Sequence, residues 1–197
     1  MDPQVLGKKY DKIAHWWQQR HQASQYGVAQ VEKALGYAKA GGKALDVGCG
    51  AGGRFVRLLK EQDFSVTGLD VSAEMIKLAA SQHPQERFFL QDICRWQSDE
   101  KFDFIIAWDS IFHLPLAMQK PVLSKLCRLL NKGGVLVYTF GNACGEETDT
   151  WHNDEFYYSS IGINDNMHCL MANNIKLLHL ELDQYPERHV YAIAQKP

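Results

Sequence analysis

Between Lys43 and Phe140 short apolar runs alternate with amphipathic stretches, and this rhythm constrains the fold more than any other feature of the chain. The runs "KALDVG", "FSVTGLD", "RFFLQD", "FDFIIAWD" and "VLVYTF" read as strands, the first of them short and buried. Helical spacing fills the intervals. "GGRFVRLLKEQ" puts Phe55, Leu58 and Leu59 on one face, and "SAEMIKLAASQ" starts behind Ser72 as N-cap. "PLAMQKPVLSKLCRLLN" carries a proline interruption and is expected to end at Gly133–Gly134. Such alternation implies a parallel sheet with helices on both faces, because each crossover returns the chain over one face of the sheet.

The flanks differ in character. Two polar-aromatic helices, about Tyr10 to Arg20 and Gln25 to Ala40, precede the first strand, the second ended by Gly41–Gly42. Residues 141 to 160, "GNACGEETDTWHNDEFYYSS", read as too polar and irregular for a strand and too long for an ordinary connection, which predicts a functional loop. A helix near Asn164 to Asn173 follows. "IKLLHLELDQ" and "RHVYAIAQK" then form a hairpin around Tyr185-Pro186, so one closing strand runs antiparallel to the rest.

A chain of 197 residues, 46% hydrophobic and 22% charged, suits one substantial core and one domain. Its net charge of -2 supplies no bulk attraction to nucleic acid or anionic membranes, and the basic clusters at Lys8-Lys9 and Lys125–Arg128 are small. No apolar run has the length of a membrane span, and the start "MDPQVLGKKYDK" lacks the order of a signal peptide, so a cytoplasmic location is expected. The cysteines at 49, 94, 127, 144 and 169 form no C-x-x-C pair and are odd in number, so neither a disulfide framework nor a metal site is expected.

The loop "DVGCGAGG" follows the first strand and opens a helix, where α/β sheets bind ligands. Gly48, Gly50 and Gly53 fit the dinucleotide fingerprint, and Asp70 ends the next strand where a carboxylate can receive two ribose hydroxyls. Both features suit a nicotinamide dinucleotide and S-adenosylmethionine alike. Asp46 separates them: its carboxylate would repel a pyrophosphate and attract an ammonium or a sulfonium.

The series "ALDVGCGAGG", "VTGLDVSAEMIKLA", "FFLQDI", "FDFIIAWDSIFHLP" and "LLNKGGVLVYTF" resembles, in order and spacing, the motifs of class I S-adenosylmethionine-dependent methyltransferases of the small-molecule type. The resemblance implies a Rossmann-like, seven-stranded, mostly parallel sheet with helices on both faces and an antiparallel last strand. It also implies one domain over 1–197: a helical cover at 1–42, a cofactor-binding core at 43–140, and a substrate loop with closing hairpin at 141–197. By the same resemblance Asp46, Gly48, Cys49 and Gly50 hold the methionine end of the cofactor. Asp70 binds the ribose with Val71 and Met75 beside the adenine, and Asp92 bonds the adenine amino group with Ile93 on the ring. Trp108 and Asp109 sit near the transferable methyl, and Tyr10 and Trp16 close over the cofactor.

Transfer from an activated methyl is an in-line displacement that needs alignment and exclusion of water, with S-adenosylhomocysteine as product. His113 is the best-placed candidate base, and His152, Tyr157 and Tyr158 on the 141–160 loop are expected to line the acceptor pocket and to become ordered on ligand binding. No Asn-Pro-Pro-Tyr or Pro-Cys follows the fourth strand, which disfavours nucleic acid and leaves a small-molecule acceptor. Two alternatives share parts of this pattern: a non-catalytic module that binds S-adenosylmethionine, and an NAD(P)-dependent oxidoreductase.

Overall fold

A computed structural model describes every residue from Met1 to Pro197. Two helices, α1 (Pro3–His21) and α2 (Val28–Leu35), precede the alternating region. That region runs β1 (Gly42–Val47), α3 (Arg54–Glu61), β2 (Phe64–Asp70), α4 (Ala73–Gln82), β3 (Arg87–Leu90), β4 (Phe102–Ala107), α5 (Leu116–Leu129) and β5 (Leu130–Gly141). It is followed by β6 (Cys144–Trp151), β7 (Asp154–Ile161), α6 (Gly162–Ala172), β8 (Lys176–Leu182) and β9 (His189–Gln195).

Seven strands form one sheet in the order β3-β2-β1-β4-β5-β9-β8. The pairs from β3 to β5 are parallel, while β9 runs antiparallel to both of its neighbours. Successive side chains point to opposite faces of a strand, so the central strands feed two cores. Leu45, Ile105 and Leu136 meet Leu123 and Leu126 of α5 on one face, and Ala44, Phe104 and Ile106 meet Val31 of α2 and Val56 of α3 on the other. Full burial of such a side chain contributes about 1.5–3 kcal/mol. The chain turns one way from β1 to β2 and the other way to β4, and this switch point opens a crevice beyond the carboxyl ends of those strands.

Four expectations are corrected. α1 begins at Pro3, well before Tyr10, because the Asp2 carboxylate caps it by accepting the Gln4 N–H at 2.8 Å and proline suits the first helical turn. α2 is only Val28–Leu35. α5 stops at Leu129, and Gly133–Gly134 lie within β5, where the Gly133 N–H and the Gly134 carbonyl pair with Lys196 beyond the end of β9.

The fourth correction is the largest. Residues 144–161 form a two-stranded antiparallel hairpin, β6 with β7, instead of a loop. His152 (φ 50°) and Asn153 (φ 58°) are consecutive left-handed residues between the strands, the backbone that hairpin twist favours. β7 is anchored from beneath: the Gln119 amide donates to the Ser159 carbonyl at 3.2 Å and to its hydroxyl at 2.9 Å, and Phe156 is buried.

Candidate functional site

The crevice at the ends of β1, β2 and β4 is a cavity roofed by α1. Asp70 organises its floor. One carboxylate oxygen accepts the Gly50 N–H at 2.9 Å and the other the Ser72 N–H at 2.8 Å, which ties the glycine loop to the start of α4. The Ser72 hydroxyl in turn donates to Asp11 at 2.6 Å, and that bond brings α1 across the opening.

The two loop glycines serve different ends. A Cβ on Gly48 (φ 75°) would lie 2.3 Å from Ser110 Cβ, so that glycine lets the loop pack against the turn after β4. A Cβ on Gly50 (φ 54°) would have Trp17 Nε1 as its nearest neighbour, at 3.7 Å, and so faces cavity space.

Asp46 is 4% exposed and accepts no hydrogen bond from the protein. Burial, and then the neighbouring Asp70, push its carboxyl up to about 7 against the pull of Arg54. Arg54 spends Nε on the Tyr26 carbonyl and leaves its terminal nitrogens without a partner on the cavity wall. Trp108 Nε1 and Ser110 Oγ are buried there without partners as well. A buried anion, a free guanidinium fork and two idle donors fit a zwitterionic, polar ligand, and adjacent Asp46 and Asp70 oppose a pyrophosphate.

His113, in the short turn after β4, has both nitrogens engaged. Nδ1 lies 2.7 Å from the Tyr157 carbonyl, which can only accept, so Nδ1 carries the proton and Nε2 accepts from the Tyr10 hydroxyl at 2.9 Å. Burial pushes its pKa down to about 4, against the Tyr157 carbonyl and Asp109, so the ring is neutral near pH 7.

The residues named from the glycine loop, from β2–α4, from β3 and from β4 all line this one cavity, and Tyr10 and His113 join them. Trp16 does not. It is 41% exposed and packs on Trp151 and His152, while Trp17, about 100° further round α1, faces the cavity beside Tyr10 and His21. His152, Tyr157 and Tyr158 also lie off the cavity wall. His152 is in the hairpin turn, Tyr157 contributes its carbonyl to His113, and the Tyr158 ring stands 4.9 Å from His113 while lining a second, outer cavity.

Sequence reasoning also missed Trp17, Tyr26, Arg54 and a group around Asp109. Helical phase from Tyr10 would have found Trp17; the others meet through tertiary contact alone. Asp109 adopts φ 48° after β4, and its Oδ1 accepts from the Thr139 hydroxyl at 3.1 Å and faces His189 Nε2 at 2.9 Å.

Comparison with known proteins adds ancestry to this geometry. A family model described as a methyltransferase domain matches residues 16–184. The chain is 32% identical over 139 residues to a protein of Geobacillus sp. (strain WCH70) named as a methyltransferase, covering 66% of this chain and 56% of that one. It is 29% identical over 140 residues to the malonyl-[acyl-carrier protein] O-methyltransferase of Salmonella typhimurium, covering 71% and 54%. The chain therefore spans about half the length of these two relatives. The magnesium protoporphyrin IX methyltransferase of Synechocystis PCC 6803, solved with S-adenosylmethionine bound to it, shares the fold at a TM-score of 0.75 and 17% identity, covering 100% of this chain and 98% of that one.

Proposed function

The chain belongs to the methyltransferase-domain family, and from that premise we propose that it binds S-adenosylmethionine in the cavity beyond β1, β2 and β4 and passes the methyl group to a small molecule, leaving S-adenosylhomocysteine. The observation that carries this reading is Asp46, a buried carboxylate without a protein partner beside the glycine loop. A cation would hold it ionised, and the cofactor's amino-acid end supplies one.

The residues divide the cofactor among them. Asp46 would face the ammonium and Arg54 the carboxylate of the methionine end, while Gly48, Cys49 and Gly50 form the backbone beside it. Asp70, with both oxygens fixed by loop N–H groups, keeps further lone pairs for the ribose hydroxyls. Val71, Met75 and Ile93 would enclose the adenine, with Asp92 at its amino group; Asp92 is itself oriented by the Cys94 N–H at 2.8 Å. Trp108 and Asp109 would stand at the acceptor end.

The bound cofactor supplies an activated methyl group; the protein's share is alignment and exclusion of water. Tyr10 and Trp17 on α1 would close the cavity. His113, neutral and bonded on both nitrogens, would orient the Tyr10 hydroxyl rather than take a proton. We read 1–197 as one methyltransferase domain, with α1 and α2 as its cover, and we place it in the cytoplasm; no helix is long and apolar enough to cross a membrane.

Calorimetric titration tests the cofactor: S-adenosylhomocysteine should bind and NAD should not. Incubation with methyl-labelled S-adenosylmethionine and a metabolite extract tests turnover, since a non-catalytic binding module would give no labelled product.

A further inference from the structure

Both ring nitrogens of His189 face carboxylates. Nδ1 lies 2.5 Å from Asp183 Oδ1 and Nε2 lies 2.9 Å from Asp109 Oδ1. A neutral imidazole has one N–H and could satisfy only one of them, so the arrangement calls for the imidazolium. Asp183 is held in place by the Gln30 amide at 3.3 Å and its side chain is 5% exposed. The other charged and titratable groups around the clamp are Tyr26, whose hydroxyl is 3.3 Å from Nε2, His21, Arg54, Tyr10 and His113, which face Asp109, and Tyr191, which faces Asp183. Burial works against the charge on His189, but the two carboxylates prevail and raise its pKa above the ordinary value.

The clamp fixes Asp109 asymmetrically. Oδ1 receives His189 and the Thr139 hydroxyl, and the Asp109 N–H donates to the same Thr139 oxygen at 2.8 Å, which holds the left-handed backbone. Oδ2 receives no protein hydrogen bond of ordinary length, the Tyr26 hydroxyl and the Arg54 guanidinium face the same carboxylate, and Asp109 lines the main cavity. On the far side, His189 borders the outer cavity, whose wall carries Glu146, Glu147 and Glu187 against Arg188 and the His189 imidazolium itself. The acceptor end of the site therefore presents negative charge on both sides of the His189–Asp109 pair.

Building on the methyltransferase reading, we propose that His189 is a positioning residue for methyl transfer: clamped between Asp183 and Asp109, it leaves Asp109 Oδ2 free to meet the nitrogen of an amine acceptor. The amine reacts in its neutral form, an alkylammonium first losing its proton to water; its lone pair forms the bond to the methyl carbon as that carbon's bond to sulfur breaks, its electron pair staying on sulfur. Positive charge thereby passes from sulfur to nitrogen. Asp109 is the counter-charge in place for the new ammonium, whose proton leaves afterwards to water. An alcohol would instead lose its proton as it reacts and leave no new positive charge for Asp109 to meet.

Nitrogen-15 spectra of histidine-labelled full-length chain test the clamp without any ligand. His189 should show two protonated ring nitrogens at pH 7, and Asp183→Asn should lower the pH at which the proton is lost. A neutral His189 at about pH 6.5 would overturn the clamp. Methyl transfer tests its use, with benzylamine and aniline as probes beside benzyl alcohol and benzyl thiol. The amines should be methylated, and His189→Gln should lower their kcat/KM by about tenfold or more while S-adenosylhomocysteine affinity stays within about twofold. With aniline, neutral throughout, the wild-type rate should fall as pH rises through the His189 transition, and this limb should move to lower pH in Asp183→Asn, which keeps the proposal testable should His189→Gln misfold.

Transfer to the alcohol or thiol with the amines silent would overturn the assignment and point to His21, the open imidazole on the cavity wall. A folded His189→Gln chain with unchanged kcat/KM would overturn the positioning role. S-adenosylhomocysteine binding without any amine methylation defeats this proposal alone, whereas a wild-type chain that binds no S-adenosylhomocysteine defeats the cofactor reading and this proposal with it.

Discussion

The Tyr10 hydroxyl lies 2.9 Å from His113 Nε2, so the roof helix α1 is hydrogen-bonded to the turn that follows β4. In this bond the hydroxyl donates to a neutral ring, and burial keeps the ring neutral by pushing its pKa down to about 4. The unfolded chain protonates this residue as pH falls through about 6.5. The folded chain resists until about 4. The stability that depends on neutral His113 is therefore complete above about pH 6.5 and is lost as pH falls toward 4, an effect of at most about 3 kcal/mol. Asp46, raised to about 7, acts with the opposite sign in the same window. Only the difference between wild type and His113→Gln isolates the ring: on going from pH 7 to pH 5 the urea midpoint of the variant should rise relative to that of wild type. Equal slopes would assign the acid sensitivity elsewhere.

Asp46→Asn should separate stability from binding. At neutral pH the ligand-free chain carries a buried carboxyl whose raised pKa disfavours folding, so the amide should stabilise it by roughly 1–3 kcal/mol. The same change removes the charge that would meet the cofactor's ammonium, and S-adenosylhomocysteine affinity should fall by about tenfold or more. Urea denaturation and calorimetry on one preparation read both. A variant that is less stable yet binds normally would place Asp46 in the fold's support rather than in the site.

The two loop glycines predict a second separation. Gly48→Ala drives a Cβ to 2.3 Å from Ser110 and should cost stability, by about 1–3 kcal/mol, before any ligand is added. Gly50→Ala meets nothing closer than Trp17 Nε1 at 3.7 Å, so its cost is the smaller one of a left-handed alanine, about 1 kcal/mol. Its larger effect should be on cofactor affinity. Should Gly50→Ala bind S-adenosylhomocysteine as wild type does, the cofactor does not approach the loop at that residue.

Much of this was legible in the chain because local signals and the fold agree. Ser72 caps α4 through the Met75 N–H at 3.1 Å, Asp70 closes β2, and the glycines sit between β1 and α3, each readable from neighbours in sequence. The β6–β7 hairpin was not legible because all of β6 before Trp151 is exposed, so no alternation marks it, and the His152-Asn153 turn lacks a glycine. Trp16 was confused with Trp17 because residue type was weighed without helical phase. The His189 clamp joins positions 109, 139, 183 and 189, which come together only when β9 inserts beside β5.

The hairpin tip is latched to the roof. Lys9 and Lys12 of α1 reach the Asp154 carboxylate at 3.1 and 2.7 Å, and these bonds hold that carboxyl down to about 2. Beside them Trp151 packs on Trp16 at 5.6 Å and on Trp17 at 5.8 Å, and Phe156 packs on Tyr10 at 5.3 Å. The segment is thus paired before any ligand arrives, and opening the cavity requires α1 to leave the hairpin. Asp154→Ala should leave the thermal midpoint nearly unchanged, since exposed ion pairs contribute little. It should nonetheless speed hydrogen exchange of α1 amides and the release of S-adenosylhomocysteine. High salt should erase the difference from wild type, because screening at 1 M acts over about 3 Å. Trp151→Ala should accelerate both processes at every salt concentration, as aromatic contacts of about 0.5–1.5 kcal/mol do not depend on charge. Exchange in α1 that is identical in wild type and both variants would mean that the roof opens without releasing the hairpin, and the latch would then be a surface contact only.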